Sequence, residues 1–406
     1  MPAVVFVAPY FLPTTNRFIA STASLDGVRL GLVTHEPLSK VPEEIRSRLV
    51  GHYRSDNALD PGLLHDAVLA VGGQVGGVDR LMGPLEELQI PLAQVRAALG
   101  IAGMDVETAR NFRDKERMKD VFDRAGVPCA RHRLIDSASA AEAFFSEVGF
   151  PVVAKPPSGS GTRDTFRLDD PTQAGEWLRW SPPEPGRPTL LEEFITGEEH
   201  AFDCVFLEGH PVFWNISRYH PAPLAVMENP WIQWAVILPR DIDGPEYEGI
   251  SHFGPAAISA LGLKTGLVHM EWFRRPDGSV AISEAAARPP GAQFSTLISY
   301  AHDFDLYSAW GRLMVYDEFA SPHRKYAVGA AYLRGQGDGR VAAVHGLEEV
   351  QREVAGLVVE AKLPQPGQAP SGHYEGEGYV IVRHPDTAVV EKAIADIITG
   401  IRVELS

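Results

Sequence analysis

The sequence predicts a mixed α/β protein, with a parallel strand–helix arrangement at its start and an α+β character later, on three observations. Val4 to Ala8 is a short apolar run of β-branched and aromatic residues, and Leu30 to Val33 follows about one helix later, as in a parallel unit. Two pairs of strand-like runs flank tight turns: Ala201 to Phe206 and Pro211 to Ile216 around Glu208-Gly209, and Leu267 to Phe273 and Val280 to Ala285 around Asp277-Gly278. Helical periodicity recurs between strands, at Pro84 to Leu99, Arg113 to Ala125, Ala138 to Val148 and Thr387 to Thr399.

A chain of 406 residues exceeds the size at which one hydrophobic core keeps growing, so two or more domains are expected. Met1 to Pro13 lacks a leading basic segment and is broken by Pro9 and Pro13; it reads as a buried strand and loop, not a signal peptide. Gly72, Gly73, Gly76 and Gly77 read as turn punctuation without phosphate-binding spacing. Gly126 and Pro128 close the helix that begins near Arg113, on which Lys115 and Lys119 share a face. Next come a strand from Pro151 to Lys155, a loop from Pro156 to Thr165, a proline-rich surface stretch from Pro182 to Pro188 and a strand from Leu190 to Phe194. Beyond Pro322, strands are expected at Val328 to Leu333 and Gly378 to Val382.

Composition excludes some function classes. Lys plus Arg number 37 against 53 Asp plus Glu, a formal net charge of −16 that repels a polyanion, so nucleic acid is not an expected partner. No run approaches the roughly 18 uninterrupted apolar residues of a membrane-spanning helix. Cys129 and Cys204 are the only cysteines, too few for a disulfide framework, which fits a reducing, cytoplasmic compartment.

The second hairpin carries the chemistry. If Asp277 and Gly278 are the two loop residues, Pro276 faces Ser279, and counting back pairs Glu271 with Glu284 and His269 with Ala286. Facing residues hold their Cβ atoms roughly 4.5–5.5 Å apart. Two carboxylates about 4 Å apart at an effective dielectric near 20 repel by roughly 4 kcal/mol. A shared proton, a lysine or arginine, or a divalent cation offsets that; a hard ion such as Mg²⁺, which takes one or two carboxylates plus phosphate oxygens, is preferred here. Arg288 extends the same face. The competing reading is a solvated face on which Arg274, Arg275 and Arg288 pair with the acids.

Lys155 ends an apolar strand just before Pro156-Pro157-Ser158-Gly159-Ser160-Gly161-Thr162, a loop of small residues whose N–H groups can cradle phosphate. It matches neither of the two common glycine-rich nucleotide patterns, and an ordinary surface loop is the alternative. Glu192, Glu193, Phe194 and Ile195, followed by Glu199, offer backbone groups for an adenine edge and a carboxylate for ribose hydroxyls, or else a polar strand end. Arg218, Tyr219, His220 and Trp231, together with Gly291, are candidates for an acceptor pocket, against the alternative of an aromatic satellite of the core.

In this order the motifs resemble the ATP-grasp superfamily: Lys115, Val153-Ala154-Lys155-Pro156 with its Gly/Ser loop, Glu192 to Ile195 with Glu199, then Glu271, Glu284 and Arg288. The resemblance spans roughly Ile101 to Gln293. It implies ATP-grasp architecture: residues 1–112 a Rossmann-like domain, 113–190 a lid, 191–320 the core with the metal site, and 321–406 a C-terminal subdomain. It further implies that Lys115, Lys155 and residues Ser158 to Thr162 contact ATP phosphates, that Glu193 to Ile195 hold adenine and that Glu199 binds ribose. Glu271 and Glu284 would bind magnesium, with manganese as an alternative, and Arg288 would stabilise the transferred phosphate and an acyl phosphate. His269 would orient a substrate carboxylate or accept a proton, unless it is a structural strand histidine. The departure is Ala286, where many members carry Asn, which leaves the number of metal ions open. The activity implied is ATP-dependent joining of a carboxylate to an amine, as in bacterial L-amino acid ligases. Biotin carboxylase-like or purine-pathway carboxylate ligation, or a non-catalytic nucleotide-binding regulator, are the alternatives. The implied partners are small molecules, and a homodimer is admitted.

Overall fold

Strand β1 (Ala3–Val7) is apolar on both faces because both are covered: Val4 and Phe6 join one core cluster, Val5 and Val7 another built on the helix Pro61–Val75. With β2 (Arg29–Thr34), β3 (Gly51–Arg54) and β4 (Arg80–Met82) it forms a parallel sheet in the order β3-β2-β1-β4. The computed structural model describes residues 1–158, 164–229, 231–371 and 373–406. Gly76 and Gly77 do end a helix, Gly76 in the left-handed region at φ 78°. Gly72 and Gly73 lie inside that helix, which corrects their reading as turn residues; a Cβ on Gly72 would sit 2.8 Å from Val78 Cγ2.

Strands β5 (His132–Ile135), β6 (Val152–Lys155), β7 (Phe166–Leu168) and β8 (Thr189–Glu193) make an antiparallel sheet in the order β5-β8-β6-β7. The large sheet is antiparallel throughout. It is built from β9 (Glu198–Leu207), β10 (His210–His220), β11 (Trp234–Leu238), β12 (Gly266–Arg274), β13 (Val280–Ala286) and β14 (Ala327–Leu333). A small sheet combines β15 (Gly335–Gly337) and β16 (Val341–His345) with β19 (Arg402–Leu405). Between them in sequence, β17 (Val358–Lys362) and β18 (Gly378–His384) return to the large sheet, whose order is β13-β12-β9-β10-β11-β14-β18-β17. Three of the strands after Pro322 therefore extend the central sheet.

The two hairpins differ in their turns. Glu208 and Gly209 both have positive φ, 52° and 84°, as a two-residue mirror-image turn requires. The second turn has three loop residues, Pro276, Asp277 and Gly278, because Arg275 pairs with Ser279 and only Gly278 has positive φ, at 82°. That corrects the two-residue reading. The three-residue turn alone would place Glu284 opposite Met270, on the wrong face, but β13 bulges at Ser283 and restores Glu271 opposite Glu284 and His269 opposite Ala286. Beneath the hairpin, Met270, Trp272, Ile282 and Ala285 pack into the core against the helix Glu248–Leu261. Among the described residues no helix is long and apolar enough to cross a membrane.

Two core histidines make stability depend on pH. His200 stacks on Trp272 with ring centroids 4.5 Å apart, and His302 Nδ1 lies 2.9 Å from the Ile298 carbonyl; burial pushes both pKa values down to about 4. A depressed histidine takes its proton more readily in the unfolded chain, so this stability is complete above about pH 6.5 and is lost as pH falls toward 4. Denaturant unfolding is expected to show a loss of roughly 2 kcal/mol or more between pH 6.5 and 4.5, reduced in a His200→Phe variant. A flat profile over that window would contradict the assignment.

Candidate active site

One cavity of about 610 Å³ opens where the sheet of β5 to β8, the large sheet and the carboxyl ends of the parallel strands meet. Lys115, Lys155, Glu192 to Ile195, Glu199, His269, Glu271, Glu284 and Arg288 all contribute to its wall. Ser158 is exposed at the start of the small-residue loop; Gly159, Ser160, Gly161 and Thr162 lie outside the described residues.

The lysines arrive on a capped helix. Asp114 accepts from the backbone N–H groups of Glu116 and Arg117, which starts the helix Lys115–Ala125 at Lys115. Lys115 Nζ is 3.0 Å from Glu284 Oε2. One turn on, Lys119 is 0% exposed; its Nζ donates to the Ser283 carbonyl at 2.9 Å and lies 3.4 Å from Glu192 Oε1. Lys155 Nζ is 2.9 Å from the same Glu192 oxygen. Lys119 was visible in the sequence only as a neighbour of Lys115 on one helix face. Its anchoring of the bulge depends on the fold.

These charges divide the carboxylates. Burial raises the Glu284 pKa, but Lys115 and Lys155 outweigh it and hold the group at about 2. Glu271, opposite, is raised by burial and by Glu284. Glu199 is raised well above the ordinary range by burial and then by Glu271 and Glu284. Among the described residues no lysine or arginine comes within ion-pair distance of Glu271. The donor set is therefore two facing carboxylates, one unpaired, in a walled cavity: a fit for a hard divalent cation.

At the opposite wall, the chain crosses from β8 to β9 through Phe194 to Gly197. Phe194 N–H is taken by the Pro151 carbonyl at 3.1 Å, while no described group accepts from the Ile195 N–H, which leaves one backbone donor open beside the cavity. Gly197 allows the crossing to touch β12: a Cβ there would lie 2.3 Å from the Arg274 carbonyl. Glu193 is held by Arg131 at 2.5 Å and Arg275 at 3.6 Å.

His269 and Asp203 face each other across β12 and β9, with Nδ1 2.7 Å from Oδ1. Asp203 is 0% exposed and also accepts from Asn215 Nδ2 at 3.4 Å. An ionised carboxylate only accepts, so Nδ1 carries the hydrogen of this bond, and in the neutral ring Nε2 is the nitrogen with the lone pair. Arg288 donates through Nε and Nη2 to Glu86 Oε2 at 3.2 and 2.9 Å, and Glu86 also binds Arg113. Burial lowers and Glu86 raises the Arg288 pKa, with Glu86 prevailing, so the guanidinium stays charged. Neither Asp203 nor Glu86 had a sequence signal; each is found only by its partner.

The acceptor candidates separate. Tyr219 and Gly291 line the cavity. Arg218 does not: its Nε donates to the Tyr247 hydroxyl at 2.6 Å and Nη1 pairs with Glu391 at 3.2 Å. Strand alternation accounts for this, since Arg218 and His220 flank Tyr219 on β10 and take the opposite face. Trp231 is 63% exposed and also outside. These three are corrections to the expected pocket; Trp234, on β11, supplies the indole that lines it.

Comparison with known proteins agrees with this geometry. Residues 148–297 match the family model described as the ATP-grasp domain. An L-arginine-specific L-amino acid ligase of Bacillus subtilis is 25% identical over 269 residues, which cover 65% of this chain and 64% of that protein. An alanine–anticapsin ligase of Bacillus amyloliquefaciens is 33% identical over 234 residues, 53% of this chain and 49% of that protein. The chain thus spans less than two thirds of the length of either relative. In three dimensions, the crystal structure of an L-amino acid ligase from Bacillus licheniformis superposes with a TM-score of 0.79 at 18% identity, covering 100% of this chain and 99% of the other. An N5-carboxyaminoimidazole ribonucleotide synthetase from Thermotoga maritima gives 0.74 at 17% identity, with both chains covered completely. Residues 148–297, which include many of the residues that line the cavity, thus match the ATP-grasp domain model, and the chain has the ATP-grasp fold over its whole length.

Proposed function

We propose that this chain is an ADP-forming ligase that activates a carboxylate with ATP and joins it to an amine. The observation that carries the reading is the facing pair Glu271 and Glu284, set in one cavity with Lys115, Lys155 and Arg288. Adenine is placed against the open Ile195 N–H, ribose hydroxyls on Glu199, and phosphate oxygens on Lys115 and Lys155. Glu271 and Glu284 would hold magnesium, which when bound screens the charge of the phosphates. Lys115, beside Glu284, would add positive charge next to the phosphates held there.

In the first step a substrate carboxylate oxygen attacks the γ-phosphorus and ADP leaves, giving an acyl phosphate. The protein contributes position and charge, with little proton transfer. Arg288, kept rigid and charged by Glu86, offsets the growing negative charge on the transferred group. In the second step the amine attacks the acyl carbon, phosphate leaves and the nitrogen loses a proton. His269 is suited to take it, since Asp203 fixes its tautomer and stabilises the resulting cation. Ala286 offers no side-chain ligand, so the metal site depends on the two glutamates.

Release of ADP and phosphate over a panel of amino acids and amines tests the reading. Turnover dependent on both a carboxylate and an amine supports it, whereas tight ATP binding without turnover on any pair contradicts it. Arg288→Ala is expected to lower kcat by about 100-fold or more and leave ATP affinity within about threefold. Undiminished activity in that variant would remove the role given to Arg288. Glu271→Gln is expected to raise the Mg²⁺ concentration for half-maximal rate by about tenfold or more, with the thermal midpoint not lowered, because it removes a poorly compensated charge. An unchanged metal requirement would count against Glu271 as a ligand.

A further inference from the structure

The cavity continues beyond the carboxylate pair to the parallel sheet. From β1 the chain moves outward to β2 and β3 and then returns to the other side of β1 as β4. The loops that follow β1 and β4 therefore part and leave a crevice at the carboxyl ends of the strands, the place where open α/β sheets bind ligands. Thr14, Thr15 and Phe18 line it after β1, and Leu85, Glu86 and Glu87 after β4.

Helix α1 (Pro13–Ala23) begins at that crevice without a cap. Leu12 provides no side-chain acceptor, and Pro13 has no N–H. No described group accepts from the backbone N–H of Thr14 or Thr15; the first such bond runs from Asn16 to the Leu12 carbonyl. A second observation is independent of the helix end. Thr15 is 2% exposed and lines the cavity, its hydroxyl has no hydrogen-bond partner among the described residues, and its oxygen is not among the atoms sealed from solvent, so it is reachable from the cavity. Open backbone donors and an unpartnered hydroxyl on one cavity-lining turn mark where an acceptor belongs.

The surroundings narrow the acceptor. Arg288 is committed to Glu86, and Glu86 and Glu87 bring negative charge to this end, which disfavours a phosphate dianion and suits a single carboxylate beside a cationic amine. Phe18, Tyr219, Trp234 and Phe294 supply an apolar wall. Such a carboxylate is a spectator in the transfer of phosphate.

We propose that the N-terminus of α1 and the Thr15 hydroxyl form the subsite for the carboxylate of the amine-donating substrate, an α-amino acid with an apolar side chain. The inference rests on the ligase reading. Its test is calorimetric titration of the protein, saturated with Mg²⁺ and a non-hydrolysable ATP analogue, with L-phenylalanine and with L-phenylalaninamide. Thr15→Val keeps the shape and removes only an unpartnered hydroxyl, so its thermal midpoint is expected to match the wild type or exceed it. It should weaken L-phenylalanine about tenfold or more and leave the amide unchanged, and Thr15→Ser should restore binding. Absence of L-phenylalanine binding by the wild type, or equal effects of Thr15→Val on acid and amide, would overturn the subsite. Phosphate release separates the two readings. Coupled turnover with an unaltered KM for the amine substrate in Thr15→Val sinks the subsite alone; the predicted binding pattern without ATP turnover sinks ligation alone.

Discussion

Two carboxylates held face to face by main-chain pairing carry a repulsion that the protein itself only half relieves. Lys115 and Lys155 keep Glu284 ionised, at a pKa of about 2, while Glu271 opposite is raised by burial and by that same neighbour. The asymmetry suits a cation site: one carboxylate held ionised by lysines, and a second whose ionised form a nearby positive charge would favour. The remaining features of the cavity surround this pair. Lys115, Lys155, Ile195 and Arg288 line the same cavity.

The bulge at Ser283 is the structural device that makes the pair possible. A three-residue turn alone would send Glu284 into the core with Met270 and Trp272. The bulge moves it back, and the buried Lys119 binds the Ser283 carbonyl while its ammonium also lies beside Glu192, next to Lys155. One lysine thus links the hairpin to the sheet of β5 to β8. The N-terminal sheet adds Glu86 to Arg288 and the open end of α1, so three sheets each contribute to one cavity.

How much of this was legible in the sequence follows from the range of each interaction. The facing of Glu271 and Glu284 was readable because period-two alternation and a tight turn are local, although the turn was a residue longer and the bulge compensated for it. The helix holding Lys115 and the strand ending in Lys155 were likewise local patterns. Asp203, Glu86 and the anchoring role of Lys119 act through residues 66, 202 and 164 positions away, and no spacing rule encodes such contacts. Arg218, His220 and Trp231 were misplaced because proximity in sequence was read as proximity in space, whereas alternation on β10 admits Tyr219 alone.

The most direct measurement is a crystal structure with Mg²⁺ and a non-hydrolysable ATP analogue. The account predicts an ion about 2.1 Å from a carboxylate oxygen of both Glu271 and Glu284 and in contact with phosphate oxygens. An ion bound elsewhere, with the triphosphate away from both glutamates, would contradict it.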